Sequence, residues 1–258
     1  MNKSKGEKII ATVVQSLVDK CLYNWLGYGN VNSSIWFMGM EEGGAEIWRQ
    51  QTKTLEGSLS LRSEFEIEMD FQHVWEELYG IPLQTFKGPN VWRYMAAFLL
   101  SLNGVEPTGD EIRSFVFEEK KLGKKGGDHF LCEFLPLPRR SNTDIEEYND
   151  IWQSNRAYLR SVGDNRFTLI KETLLENSNV KLLLSYDRKY SKMFLEHFQT
   201  ELIKEWNDRR NKLFAIYAVN LSSDRKVYFL VTPFFGQGQA SYEGLEDAAK
   251  IVKELSIL

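Results

Sequence analysis

Ile35-Trp36-Phe37-Met38-Gly39-Met40-Glu41-Glu42-Gly43-Gly44-Ala45 is the stretch that decides the architecture. Four large apolar residues in a row, with no polar alternation, predict a strand covered on both faces, as in a parallel sheet between helices. Gly43-Gly44 ahead of Ala45-Glu46-Ile47-Trp48 reads as the turn into a helix. Function in open α/β sheets gathers where such strands end, so Glu41 and Glu42 are the first candidates for chemistry.

Three other runs share this character. They are His129–Leu135, stopped by Pro136 and Pro138, then Val180–Tyr186, and then Lys226–Val231. Between them, apolar residues at three- and four-residue spacing predict helices over 7–28, from Ala45 onward, and over 64–79, 91–102, 144–175, 187–201 and 242–258. The 144–175 segment reads as interrupted near Gly163-Asp164-Asn165. Residues 27–33 and 52–63 read as loops, 110–128 as a solvated charge run with glycines, 205–212 as a charged connection and 213–219 as a short extra strand. The fold class expected is α/β, a three-layer α/β/α sandwich with a central, mainly parallel four-stranded sheet and right-handed crossovers. It forms one domain over 1–258, with an N-terminal helical extension over 1–30.

Composition narrows the function classes. Hydrophobic and charged fractions of 43% and 26% over 258 residues are those of a globular chain. The net charge of −4 argues against wholesale polyanion binding and leaves room for a local basic face. Cys21 and Cys132, far apart in apolar settings, match neither a disulfide framework nor a zinc pattern, and predict buried thiols in a reducing cytoplasm. The amphipathic start predicts neither a secretory signal nor a membrane span. His73, His129 and His197 show no ligand spacing, so no metal site and no cofactor are expected.

The first strand ends in Gly-Met-Glu-Glu-Gly-Gly, and the last in Thr232-Pro233-Phe234-Phe235-Gly236-Gln237-Gly238-Gln239-Ala240-Ser241. This pairing resembles the uracil-DNA glycosylase superfamily, in which a glycine-led motif with a catalytic Asp, Asn or Glu follows the first strand and a His-Pro-Ser type loop follows the last. The resemblance runs from about residue 34 to the C-terminus. It implies DNA, a nucleobase or a nucleotide as partner, with Glu41 or Glu42 in the place of the water-positioning residue. It sets Glu133 near the base-reading Asn and Thr232 where a His would precede Pro233, a departure from the family pattern.

Cleavage of an N-glycosidic bond develops positive charge on the sugar and negative charge on the departing base, so it needs a carboxylate near one and donors near the other. Glu41 or Glu42 supplies the carboxylate; alternatively both cap the following helix. Gly39, Met40, Gly43 and Gly44 would frame the site, and Thr232, Pro233, Gln237, Gln239 and Ser241 would hold a phosphate or base oxygen. A strand-to-helix connection with Ser241 as N-cap is the plain alternative. Glu133 would accept from an exocyclic amine, whereas an ion pair with Arg139 or Arg140 would make it structural. Trp48 and Phe234 are the stacking candidates. The expected protein is thus a divergent glycosylase, a non-catalytic interaction module of the same fold, or an enzyme acting on free nucleotides.

Overall fold

The computed structural model describes residues 15–41, 54–84, 90–139 and 145–258. Its centre is built by β2 (Ile35–Glu41), β4 (His129–Leu135), β5 (Leu182–Ser185) and β8 (Lys226–Val231), the four apolar runs of the sequence. β2 pairs in parallel with both β4 and β5, and β5 with β8, so the order is β4-β2-β5-β8. Registers such as Phe37 with Leu131 and Leu184 fix which side chains share a face.

The sheet is not four-stranded, however. Among the described residues it has eight strands and is mixed: β1 (Gly27–Gly29) runs antiparallel to β4, with the short β3 (Glu68–Met69) outside it. At the other edge β7 (Leu213–Asn220) and β6 (Gln199–Asn207) add an antiparallel hairpin beside β8. β1 requires glycine, because a Cβ on Gly27 would lie 1.9 Å from the Leu131 carbonyl oxygen. β6 is exposed along most of its length, with Leu202 and Ile203 open to solvent and a register shift between Leu202 and Lys204.

Apolar cores lie on both faces. Phe37, Leu131, Leu184 and Leu230 pack on one side with helices α3 (Asn90–Leu102) and α7 (Tyr242–Glu254). Trp36, Met38, Phe130, Leu183 and Phe229 pack on the other with α1, the helix over residues 15–23, and with α5 (Asn155–Glu176). Neighbouring residues of one strand thus enter different cores, which is why those strands carry no polar alternation.

Several local expectations change. Within 52–63, Thr54 caps α2 (Leu55–Arg62), its side chain accepting from the Gly57 N–H. The 64–79 segment divides into β3 and a π-helical turn over His73–Leu78, and a second π-helical turn, Ser114–Glu118, follows α4 (Gly109–Arg113). That second turn buries Phe115, Val116 and Phe117, which gives the charged 110–128 segment an apolar face. α5 runs without a break through Gly163, and α6 (Arg188–Glu196) ends before β6 begins. Among the described residues no helix is long and apolar enough to cross a membrane.

One buried cation ties these layers together. Arg166 on α5 is fully buried and donates to the carbonyls of Leu22 (2.5 Å), Trp25 (3.0 Å), Glu133 (2.6 Å) and Phe134 (2.9 Å). Burial pulls its guanidinium below the usual arginine value. Arg166→Leu is expected to lower unfolding free energy by about 3 kcal/mol or more, since the carbonyls lose their donor in a dry interior. Arg166→Lys is expected to recover only part of this, because an ammonium lacks the planar fork. Urea unfolding measures both; a loss below about 1 kcal/mol for the Leu variant would refute this role.

Candidate functional site

Strand order locates the crevice. From β2 the chain passes through the edge strand β3 to β4 on one side, whereas from β5 it passes through the β6–β7 hairpin to β8 on the other, so the switch point lies between the carboxyl ends of β2 and β5. Gly39 stands there, opposite Glu133 of β4 and one position past the pairing of Met38 with Ser185. A Cβ on Gly39 would lie 2.5 Å from the Tyr186 hydroxyl and 2.6 Å from Glu133 Oε2. The glycine therefore makes room for a carboxylate and a phenol to converge.

Both groups are held from behind. The Glu133 N–H donates to the Leu26 carbonyl (2.9 Å), and its own carbonyl accepts from Arg166. The Tyr186 ring stacks on Phe235 with centroids 4.9 Å apart and planes 11° apart, and Phe235 packs against Tyr94 of α3. The Tyr94 hydroxyl donates to the Ala240 carbonyl (3.2 Å), closing a path from the switch point to the terminal loop. Burial, reinforced by the Glu133 carboxylate, pushes the Tyr186 phenol well above its ordinary value. It is a hydrogen-bond donor at neutral pH.

The terminal loop divides its residues between structure and surface. Thr232 is fully buried, its hydroxyl donating to the Pro233 carbonyl (3.0 Å) and its N–H to the Ser185 carbonyl (2.9 Å). The Gln239 N–H closes a turn onto the Gly236 carbonyl (2.9 Å), with Gln237 and Gly238 both left-handed at φ 50° and 66°. Ser241 caps α7, its hydroxyl accepting from the Gly244 N–H (3.1 Å). Pro233, Phe234 and Gln239 line a cavity of about 410 Å³, facing Asp187, Arg188, Asn211, Lys212 and Leu213.

The hairpin turn after β6 grips this loop. Arg210 donates to the Ala240 carbonyl (3.1 Å) and to that of Gly238, and Lys212 Nζ to Gln239 Oε1 (3.1 Å). Buried Asp208 shapes the turn by accepting from the Arg210 N–H (2.9 Å) and the Lys212 N–H (2.8 Å). Neither these residues nor Tyr186 and Arg188 stood out in the sequence as site residues. The charged stretch before Leu213 and the tyrosine closing an apolar run were the available signals.

The remaining sequence candidates are placed as follows. Met40 is half-buried, and the Glu41 backbone ends β2 opposite Leu135. Glu42, Gly43, Gly44 and Trp48, and the side chain of Glu41, lie outside the described residues. Arg139, offered as a partner for Glu133, donates to Asn155 Oδ1 (2.6 Å) and lies over the Tyr158 ring; Arg140 is outside the described residues. His129 is fully buried, with Nδ1 2.6 Å from Asp128 Oδ1 and Nε2 accepting from the Gly123 N–H (2.8 Å), a structural arrangement. Among the described residues no group of three His, Cys, Asp or Glu is placed to hold a metal ion.

No relative names this site. No family model matches the chain, and no curated protein and no solved structure matches it.

Two outcomes follow from that geometry. In Gly39→Ala the colliding atoms are side-chain ends, so the fold is expected to persist at a cost of about 1–3 kcal/mol while Glu133 and Tyr186 are forced apart. A crystal structure of the variant with both side chains unmoved would contradict this. The buried phenols of Tyr148 and Tyr186, both raised by burial, retain their protons in the folded state past the ordinary value of 10. Their contribution is intact below pH 10 and is lost as pH rises from there towards the folded-state values, with a slope of about 1.4 kcal/mol per pH unit for each. Urea unfolding on either side of pH 10 should show this loss, reduced in Tyr186→Phe.

Proposed function

We propose that this chain recognises a nucleobase, carried by a nucleotide or a nucleic-acid strand, at the switch point of a uracil-DNA glycosylase-like α/β/α fold. The observation that carries the reading is the convergence of the Glu133 carboxylate and the Tyr186 hydroxyl over Gly39. A carboxylate accepts and a neutral phenol donates, so the pair suits a base edge where an exocyclic amine adjoins a ring nitrogen. Adenine and cytosine have such an edge. Uracil has no exocyclic amine to offer Glu133. The stacked aromatic rings behind Tyr186 hold the phenol in place, which reduces what must be ordered when a ligand enters.

Titration calorimetry with AMP, CMP and UMP tests this. AMP or CMP is expected to bind at least tenfold more tightly than UMP, a preference lost in Glu133→Gln and weakened in Tyr186→Phe. Equal affinity for the three nucleotides, or an unchanged preference in Glu133→Gln, would remove the base-reading role.

Hydrolysis of the N-glycosidic bond is the second reading, and the position of Glu41 favours it. Glu41 ends β2 two residues past Gly39, which puts a carboxylate-bearing residue on the same strand as the base-reading position, and stabilisation of a sugar cation needs a carboxylate near the sugar. Base release from oligonucleotides containing mispaired adenine or a modified cytosine, whose exocyclic amine Glu133 would read, lost in Glu41→Gln/Glu42→Gln, is the expected result; release of uracil, hypoxanthine or xanthine, which lack that amine, would instead keep the hydrolysis and set aside the base-reading role of Glu133. No release from any of them would exclude glycosylase chemistry on these bases and leave the binding reading to the nucleotide titrations. Cys21 and Cys132 are buried thiols, which suit a reducing compartment, and we assign the chain to the cytoplasm on that ground.

A further inference from the structure

We infer that the cavity between the hairpin turn after β6 and the start of α6 is an anion site that takes the phosphate of a nucleotide or of a nucleic-acid strand. It rests on the nucleobase reading only for what carries the phosphate. Two cations from separate elements face this space: Arg188, the first residue of α6, and Lys212, on the hairpin. Neither has a carboxylate partner among the described residues; Arg188 is exposed, and Lys212 reaches only the neutral Gln239 side chain. The carboxylate lining the same space is Asp187, whose Oδ1 accepts from the Tyr190 N–H (3.3 Å) in the first turn of α6. On a chain of net charge −4, two cations facing one cavity create a local field opposite to the whole.

The geometry is prepared in advance. Asp208 fixes the turn that presents Lys212, and Arg210 fixes the loop that presents Gln239, so little has to be ordered when an anion arrives. Asn211 adds a side-chain amide at the rim. Phe234, 38% exposed, offers a ring face beside the cations, the combination that strand-binding proteins use for a base or sugar next to a phosphate. A second cavity of about 450 Å³, along α6 and the hairpin strands, shares Arg188 and Leu213 with the first, but Glu196 and Glu205 line it beside Lys192, and Lys192 lies 3.8 Å from Glu196, so the anion site is confined to the first cavity.

Calorimetric titration of the full chain with inorganic phosphate, CMP and a single-stranded dC hexamer decides the matter. The double variant Arg188→Ala/Lys212→Ala is expected to weaken all three by about tenfold or more, with circular dichroism and Tm unchanged, whereas Arg188→Lys/Lys212→Arg keeps the binding. Glu133→Gln is expected to weaken CMP and the hexamer while leaving inorganic phosphate unaffected, which separates failure of base reading from failure of the anion site. A hexamer that binds more tightly than CMP, with a steeper salt dependence that the double variant flattens, identifies a strand as the source of the phosphate; equal affinities identify a free nucleotide. The proposal is overturned if the wild-type chain binds none of the three, or if the alanine variant binds inorganic phosphate as the wild type does.

Discussion

Arg166 is the constraint on which the candidate site depends. Burying a guanidinium costs several kcal/mol unless its donors are met, and here they meet carbonyls at the end of the helix over residues 15–23 and on β4. The carbonyls at a helix C-terminus lack intrahelical donors and carry the negative end of the dipole, so they suit a cation. One of the carbonyls it binds belongs to Glu133, whose N–H is held by Leu26. The backbone that bears the site carboxylate is thus pinned on both sides by interactions whose purpose is structural.

The two halves of the site answer to different parts of the chain. Gly39, Glu133 and Tyr186 belong to the parallel centre, where neighbouring strands set their relative height through register. Arg188 and Lys212 come together only because an antiparallel hairpin folds back beside β8 and brings its turn to the terminal loop. The first group is rigid by virtue of the sheet. The second is rigid by virtue of Asp208 and Arg210, two side chains that satisfy backbone groups in a region without sheet hydrogen bonds.

Much of the centre was legible because doubly covered strands are continuously apolar, as Ile35–Met38 and Leu182–Leu184 are. The edges were not legible for equally physical reasons. β1 has two glycines in three residues, demanded by close approach to β4, and glycines in sequence suggest a turn. β6 is exposed on both faces, so Glu201, Lys204 and Glu205 interrupt any pattern, and its strand character comes from pairing with β7. Gly163 was expected to break a helix that tertiary packing carries through, and nothing crowds the place of its missing Cβ. Within the site, Glu133 and the terminal loop were marked by their residue types. Tyr186 looked like one more apolar strand residue, and the hairpin cations looked like solvated charge.

The position of β2 has a consequence for how the chain is made. This apolar strand pairs on one side with residues beginning at His129 and on the other with residues beginning at Leu182, so both neighbours leave the ribosome long after it does. Until then its N–H and C=O groups have no native sheet partner, although Trp36 and Met38 can already pack on the helix over residues 15–23, in a topology whose loop-closure entropy makes pairing slow. The strand that frames the candidate site is therefore also a segment exposed to misassembly during synthesis, and shielding of the nascent chain bears on the yield of folded protein.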